Sequence, residues 1–323
     1  MTKRKKTVII IMIILALLIL ALTGIYISHS IQLKKEAPLL EPLGQLVEVD
    51  GHSMSVYTEG SGDITLVFMS GGGTCSPILD FKSLYSLLSD EYSIAVVEKF
   101  GYGFSDDTEK SRDIDTILEN TRAALSAMGL NAPYVLCPHS MSGLEAIYWA
   151  GKYPDEVSAI IGLDMAVPKY YDSMKINVPL LKLSGIAAKL GVTRLIPDLS
   201  ESEAIKHGTL TEKEKDIYRA VFYTRTATAP MINEAAAVFD NAEKADSMGV
   251  LHCPKLYGQH KNTPLWYNIK LLSNILTSFF IRSQFCFELN TLVVVEINVL
   301  TYEEASLLIS LQFHPIDTFC FED

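Results

Sequence analysis

The sequence predicts an α/β fold, in which a mostly parallel sheet carries helices on both faces. Apolar runs of strand length alternate with longer stretches of helical periodicity, which is typical of parallel strands joined by helices. Loops rich in serine and glycine follow three of these strands, and ligands of such sheets bind at the carboxyl ends of the strands. The predicted strands are 66–69, 93–97, 134–137 and 157–163, and the predicted helices are 77–88 and 114–128.

The amino-terminal residues 1–29 read as a basic stub followed by a transmembrane anchor. Val8–Ile27 contains no charged residue, and about 20 helical residues rise about 30 Å, enough to cross a bilayer. Four basic residues precede this run and Lys34 and Lys35 follow it, which places the amino terminus in the cytoplasm. The run is longer than the apolar region of a signal peptide and lacks a small-x-small site, although a cleaved signal is the alternative.

These features predict a single-pass protein of the cell membrane, with residues 8–27 in the lipid bilayer and the catalytic domain extracellular. Residues 30–43 are expected to form a linker with little structure.

A hairpin is predicted to precede the parallel strands. The dipeptide Asp50-Gly51 separates two short alternating runs, 45–49 and 54–57. Asp-Gly between such runs is a strong hairpin signal.

A glycine run follows the strand 66–69. Residues 70–74 read Ser-Gly-Gly-Gly-Thr, and glycines allow a backbone to approach a ligand closely. No Lys-Ser or Lys-Thr pair follows, so the phosphate-loop interpretation fails. The run is therefore a loop that approaches a ligand closely, with a plain flexible turn as the alternative.

Ser140 stands between the strand 134–137 and a strongly helical sequence. A serine at such a corner occupies a tight, strained turn that exposes its hydroxyl and aims the next N–H at the same point. The small residues Ser142 and Gly143 allow the strand and helix to approach closely. Ser140 is therefore the predicted nucleophile, with an ordinary capping serine as the alternative.

The sequence Pro138-His-Ser-Met-Ser-Gly143 resembles the corner G-H-S-M-G-G found in many α/β-hydrolases, with proline where glycine is usual. The resemblance runs from about residue 46 to about residue 257. It also covers residues 98–106, E-K-F-G-Y-G-F-S-D, which resemble the family loop D-R-x-G-x-G-x-S.

The resemblance implies an oxyanion hole. Ser70 replaces the histidine of the family's His-Gly loop, and Gly72 stands where a donating N–H is expected. The second donor is the N–H of Met141. Preorganised donors of this kind stabilise the negative charge that develops during acyl transfer.

The resemblance also implies a domain organisation. The α/β-hydrolase core is expected over 44–168 and 251–258, and residues 169–250 are expected to form a helical cap with helices at 180–190, 212–223 and 232–248. Acidic residues of the cap, Glu234 among them, read as a solvated face, with binding of a substrate amine as the alternative.

A serine nucleophile needs a base, usually histidine, and a carboxylate acid that orients it. The family places them after the seventh and eighth strands, but the resemblance ends at Gly258. Residues 259–323 contain no glycine, where average usage would give about four or five, and no histidine follows the predicted strand 292–299. Asp164, directly after the sixth strand, is the candidate acid, with a backbone hydrogen bond at the cap hinge as the alternative. His314 is the candidate base, although it comes later than the family's histidine and His260 comes earlier; a surface or packing role is the alternative for both.

Two functions remain open. The first is a membrane-anchored hydrolase that cleaves an ester, amide or related acyl bond of a small-molecule substrate through a serine nucleophile. The second is a catalytically impaired hydrolase-fold relic, in which a frameshift or comparable event has replaced the atypical tail 259–323.

Composition excludes other classes. A formal net charge of −11 argues against nucleic acid as a partner. Five cysteines occur without a C-x-x-C pair, and no H-E-x-x-H is present. We therefore expect no metal site and no cofactor.

Overall fold

The computed structural model describes residues 3–196 and 198–249 with their side chains, and the backbone of three further strands at 255–258, 292–297 and 309–314. In this described part, the strands form one nine-stranded sheet of order β1-β2-β4-β3-β5-β6-β7-β8-β9. The strands are β1 Gln45–Val49, β2 His52–Glu59, β3 Thr65–Met69, β4 Ser93–Glu98, β5 Tyr134–Ser140, β6 Val157–Met165, β7 Lys255–Gly258, β8 Leu292–Ile297 and β9 Ile309–His314.

The predicted hairpin is confirmed. β1 and β2 pair antiparallel up to Val49 and His52. Between them, Asp50 and Gly51 have φ values of 56° and 78°. Two consecutive positive φ values are what a two-residue type I′ turn requires.

The predicted parallel sheet is confirmed as well. Strands β4, β3, β5, β6, β7 and β8 pair parallel in that order, and the helices α2 Pro77–Tyr85, α3 Ile114–Ala127 and α4 Ser142–Lys152 connect the first of them. β5 and β6 extend beyond the predicted strands because ladder pairs such as Ser140 with Met165 continue to their ends.

Helices cover both faces of the sheet. On one face, Phe68 packs with Phe81 and Tyr85 of α2. On the other, Trp149 of α4 lies fully buried, with its ring centroid 5.7 Å from that of Tyr134. The two cores hold the carboxyl ends of the strands in fixed positions.

The carboxy-terminal strands extend the same sheet. β8 confirms the strand predicted at 292–299, and β9 pairs with it antiparallel. Residues 259–291, which include His260, and residues 298–308 follow the strands after which the family places its acid and histidine, and they lie outside the described residues.

Five helices lie between β6 and β7 in the described chain: α5 Val178–Lys189, α6 Glu203–His207, α7 Glu212–Arg225, α8 Ala229–Ala236 and α9 Val238–Asp246. The prediction of a single helix at 232–248 is wrong, because α8 ends at Ala236 and α9 begins at Val238. At the junction, the Ala237 N–H donates to the carbonyls of both Asn233 and Glu234. The two halves have different partners: α8 packs on α5, whereas α9 packs on α4. We call residues 168–249 the helical insertion.

The helix α1 runs from Lys3 to Glu36. The prediction of a linker with little structure is wrong over 30–36, because the helix continues there and a 3₁₀ turn, Ala37–Leu39, follows. Arg194 of the helical insertion binds His29 and Glu36, and these contacts hold the last turns of α1. By length and composition, α1 is the one helix in the described residues that is able to span a membrane.

Candidate active site

Ser140 occupies the corner between β5 and α4. Its φ is 51°, a left-handed conformation that is uncommon for a residue other than glycine and costs conformational energy. The Ala166 N–H donates to its carbonyl oxygen at 2.8 Å, which pins the turn to the end of β6. The serine is half-buried at the carboxyl edge of the sheet.

Small residues around Ser140 are required by space. A Cβ on Gly143 would lie 2.2 Å from the carbonyl oxygen of Ala166, and one on Gly71 would lie 2.9 Å from the Cβ of Ser140. Real Cβ contacts are not that short, so both positions demand glycine. The buried Ser142 hydroxyl donates to the Met69 carbonyl at 2.8 Å and thereby ties this corner to β3.

The expected oxyanion donors lie beside each other. A Cβ on Gly72 would lie 2.8 Å from the Met141 Cε, so the glycine loop is in contact with the residue that follows Ser140. Within the described chain, neither the Gly72 N–H nor the Met141 N–H donates a hydrogen bond. Backbone N–H groups without an acceptor are the donors from which an oxyanion hole is formed.

A buried ionic network lies directly beneath this loop. The Gly73 N–H donates to the Tyr102 hydroxyl at 3.3 Å, and that hydroxyl donates to Glu234 at 3.0 Å. Lys99 lies between the carboxylates of Glu234 and Glu145, at 2.7 Å from the latter. The network thus connects the glycine loop, the β4 loop, α4 and the helical insertion.

Charge pairing decides the protonation of this network. Burial alone would lower the pKa of Lys99, but the charges of Glu145 and Glu234 outweigh it and raise the pKa above its ordinary value. Burial raises the pKa of Glu145. Lys99 is therefore charged at neutral pH, and the pair it makes is almost completely removed from water.

The sequence pattern does not predict this network. The solvated face predicted for Glu234 is wrong, because this residue is 1% exposed. The available signal was Lys99 itself, because it stands where the family loop carries arginine, and a buried cation requires a buried carboxylate.

Loop 98–106 folds around a third buried carboxylate, that of Glu98. The Phe104 N–H donates to Glu98 at 2.8 Å, and burial raises the pKa of Glu98 to about 7. A Cβ on Gly103 would lie 1.9 Å from this carboxylate. The Ser105 hydroxyl donates to the Glu98 carbonyl at 2.5 Å, so the glycines and serine of the motif close the loop.

Asp164 lies close to the Ser140 corner. It is exposed on β6 with a φ of 52°, and it precedes Met165, the ladder partner of Ser140. Its charge acts on His139, whose pKa is nevertheless lowered, because burial outweighs the carboxylate. The His139 ring packs edge-on against Phe81, 6.3 Å between centroids, and so faces the α2 core.

His314 lies at the other edge of the sheet. The register of β9 sets it opposite Leu292, the first residue of β8. Because β8 runs parallel to β5 and β6, this position is at the amino edge, whereas Ser140 is at the carboxyl edge. In the described part of the chain, no hydrogen bond joins the Ser140 hydroxyl to a histidine.

Comparison with known proteins agrees with this architecture. No family model matches the chain. The uncharacterized protein YbdG of Bacillus subtilis (strain 168) is 44% identical over 234 residues, covering 71% of this chain and 72% of YbdG. A haloalkane dehalogenase DbeA variant from Bradyrhizobium elkanii superimposes with a TM-score of 0.52 at 15% identity, covering 74% of this chain and 98% of that one.

The chain belongs to the same family as YbdG, and its fold is that of the α/β-hydrolases. A 2-(acetamidomethylene)succinate hydrolase of Mesorhizobium japonicum is 25% identical over 122 residues, 38% of this chain and 42% of that protein. The α/β-hydrolase fold and these relationships support a hydrolase.

Proposed function

We propose that the protein is a membrane-anchored serine hydrolase that cleaves an ester, amide or related acyl bond of a small molecule. The observation that carries the proposal is the strained Ser140 corner beside two unused N–H donors, Gly72 and Met141. Strain at a functional position persists only where the surrounding structure holds it, and here glycines and the Ser142 hydroxyl do so.

The chemistry follows from this arrangement. The Ser140 oxygen attacks the carbonyl carbon of the substrate, and its proton passes to a base. The carbonyl oxygen becomes an oxyanion, which accepts hydrogen bonds from the Gly72 and Met141 N–H groups. Collapse of the tetrahedral intermediate expels the protonated leaving group, and water then hydrolyses the acyl-enzyme. Asp164 is proposed as the carboxylate that orients the base, since it is exposed beside the Ser140 corner.

A second candidate function is a hydrolase-fold relic without turnover. The position of His314 at the amino edge of the sheet favours it, because an acyl-transfer serine needs a base within hydrogen-bond reach.

Labelling with a fluorophosphonate probe separates the two. The full-length protein should be labelled, Ser140→Ala should not, and Ser126→Ala should be labelled like the parent, because Ser126 is an exposed serine of α3. Labelling of Ser140→Ala contradicts the nucleophile assignment. An unlabelled parent supports the relic, because an unactivated serine hydroxyl reacts slowly.

The anchor is proposed on the exposure of α1. Its apolar residues from Val8 to Leu20 have little packed against them, which is unfavourable in water and favourable in lipid. The topology has the amino terminus in the cytoplasm and the hydrolase domain outside. Protease added to intact cells should digest the domain and spare the extreme amino terminus, whereas a fully protected domain would contradict this orientation.

A further inference from the structure

Five large apolar side chains of the helical insertion face solvent together. Leu180, Leu183 and Ile186 recur every three residues along one side of α5, and Leu195 and Ile196 lie at the end of the 3₁₀ turn Val192–Leu195, which packs on α5. Each is at least 50% exposed. We call these five residues the apolar patch. Exposed apolar residues grouped in this way mark interaction surfaces.

The segment that carries the patch is fastened to α1. A Cβ on Gly191 would lie 2.3 Å from the His29 Cβ. The Arg194 guanidinium donates to the His29 imidazole at 2.8 Å and binds Glu36 through both terminal nitrogens. Leu195, the next residue, is therefore held beside the helix.

These contacts occur where α1 leaves the apolar span. His29 is two residues beyond Ile27, about 3 Å along a helix. Leu22 and Ile25 lie on the same side of α1 as His29 and are less exposed than their neighbours in the span. The covered stripe thus reaches about 7 Å back from Ile27, comparable with the ~5–10 Å depth of interfacial helices.

The charge around the patch fits the same surface. Residues 173–197 contain three lysines and no aspartate or glutamate, in a chain with a net charge of −11. Their fourth basic residue, Arg194, is already paired with Glu36. Basic residues beside an apolar face are typical of segments that lie on anionic membranes.

We propose that the apolar patch lies in the interfacial layer of the bilayer that α1 spans, so that the hydrolase domain makes a second, peripheral contact with lipid. The inference rests on the anchor in the proposed function and is independent of Ser140. It requires the patch to be covered by acyl chains and headgroups rather than by water or by a second copy of the protein.

Fluorescence quenching tests this placement. Full-length Leu183→Trp and Leu195→Trp variants are reconstituted in vesicles of phosphatidylcholine and phosphatidylglycerol, with or without lipid brominated on its acyl chains. The matched control is Leu87→Trp: Leu87 is 58% exposed against 59% for Leu183, but precedes β4 at the amino edge of the sheet. The signal of the parent protein is subtracted.

We expect both patch tryptophans to be quenched by brominated lipid at least twofold more than the control tryptophan. Because the two variants lie on different elements, misfolding of one leaves the other informative. Quenching no greater than in the control overturns the proposal. Tryptophans shielded from iodide but not quenched by brominated lipid also overturn it, because a second copy then covers the patch.

Alkaline carbonate extraction of the same vesicles separates this failure from that of the anchor. Protein that is retained but unquenched refutes the patch contact alone. Protein that is extracted refutes the anchor and the patch together, and serine-probe labelling reports on Ser140 in either case.

Discussion

The buried Lys99 network offers the sharpest test of the site's physical basis. In Lys99→Met, a side chain of similar length replaces the ammonium group and leaves Glu145 and Glu234 buried without a cation. At the observed 2.7 Å from the lysine nitrogen to Glu145, Coulomb's law with an effective dielectric constant of 20 gives an attraction of about 6 kcal/mol. Desolvation offsets part of it, and breaking one partner of a buried pair costs about 3–5 kcal/mol.

The matched control is Lys152→Met. Lys152 also lies 2.7 Å from a carboxylate, that of Asp115, but the two side chains are 29% and 36% exposed. Solvent screens this pair, so its loss should cost less than about 1 kcal/mol. The two substitutions therefore differ in burial while sharing the same chemistry and the same distance.

Thermal unfolding of the full-length protein in detergent micelles measures both effects. A domain of this size loses about 2–4 °C per kcal/mol, so Lys99→Met should lower the melting temperature by roughly 6–20 °C. Lys152→Met should lower it by no more than about 4 °C.

The effect should also depend on pH. Burial raises the pKa of Glu145 above 4.5, and without Lys99 it should rise further. A raised folded-state pKa gives stability that is present below 4.5 and lost as pH rises through the folded value. The loss in Lys99→Met should thus be larger at pH 8 than at pH 5. Equal losses in the two lysine variants, or a loss that does not change with pH, would refute the reasoning.

Three further predictions concern the Ser140 corner, Asp80 of α2 and the tail. Gly143→Ala should lose serine-probe labelling and about 1–3 kcal/mol of stability, because its Cβ would meet the Ala166 carbonyl at 2.2 Å; normal labelling with unchanged melting would contradict the geometry. Burial raises the pKa of Asp80 to about 7, so its contribution to stability is lost as pH rises from about 4 through 7. Asp80→Asn should therefore make the melting temperature fall less steeply with rising pH. Part of the fall should remain, because burial raises the pKa of Glu98 as well. An unchanged dependence of melting temperature on pH would contradict this role of Asp80. Translation of the gene's other frames downstream of codon 258 should reveal a strand followed by a glycine-containing acidic loop and then a strand followed by Gly-His; their absence from all frames would argue against a replaced tail.

The sequence by itself determined the features that depend on neighbouring residues. Alternation of apolar runs predicted the parallel sheet and its covering helices, and the Asp50-Gly51 dipeptide predicted the hairpin turn, because periodicity and turn chemistry act over a few residues. The position of Ser140 between a strand and a helix predicted its strained corner in the same way. The sequence also predicted small residues around Ser140, since only glycine leaves the space that the corner needs.

Only the tertiary structure decided which distant residues meet. Glu234 is buried because folding brings it to Lys99, 135 positions away in the chain, and nothing near it in sequence distinguishes it from a solvated glutamate. Arg194 extends α1 through Glu36, 158 positions away, and the antiparallel direction of β9 sets His314 at the amino edge of the sheet. Burial, ion pairing and strand direction depend on the packing of the whole chain, so the local pattern around a charged or polar residue does not specify its environment.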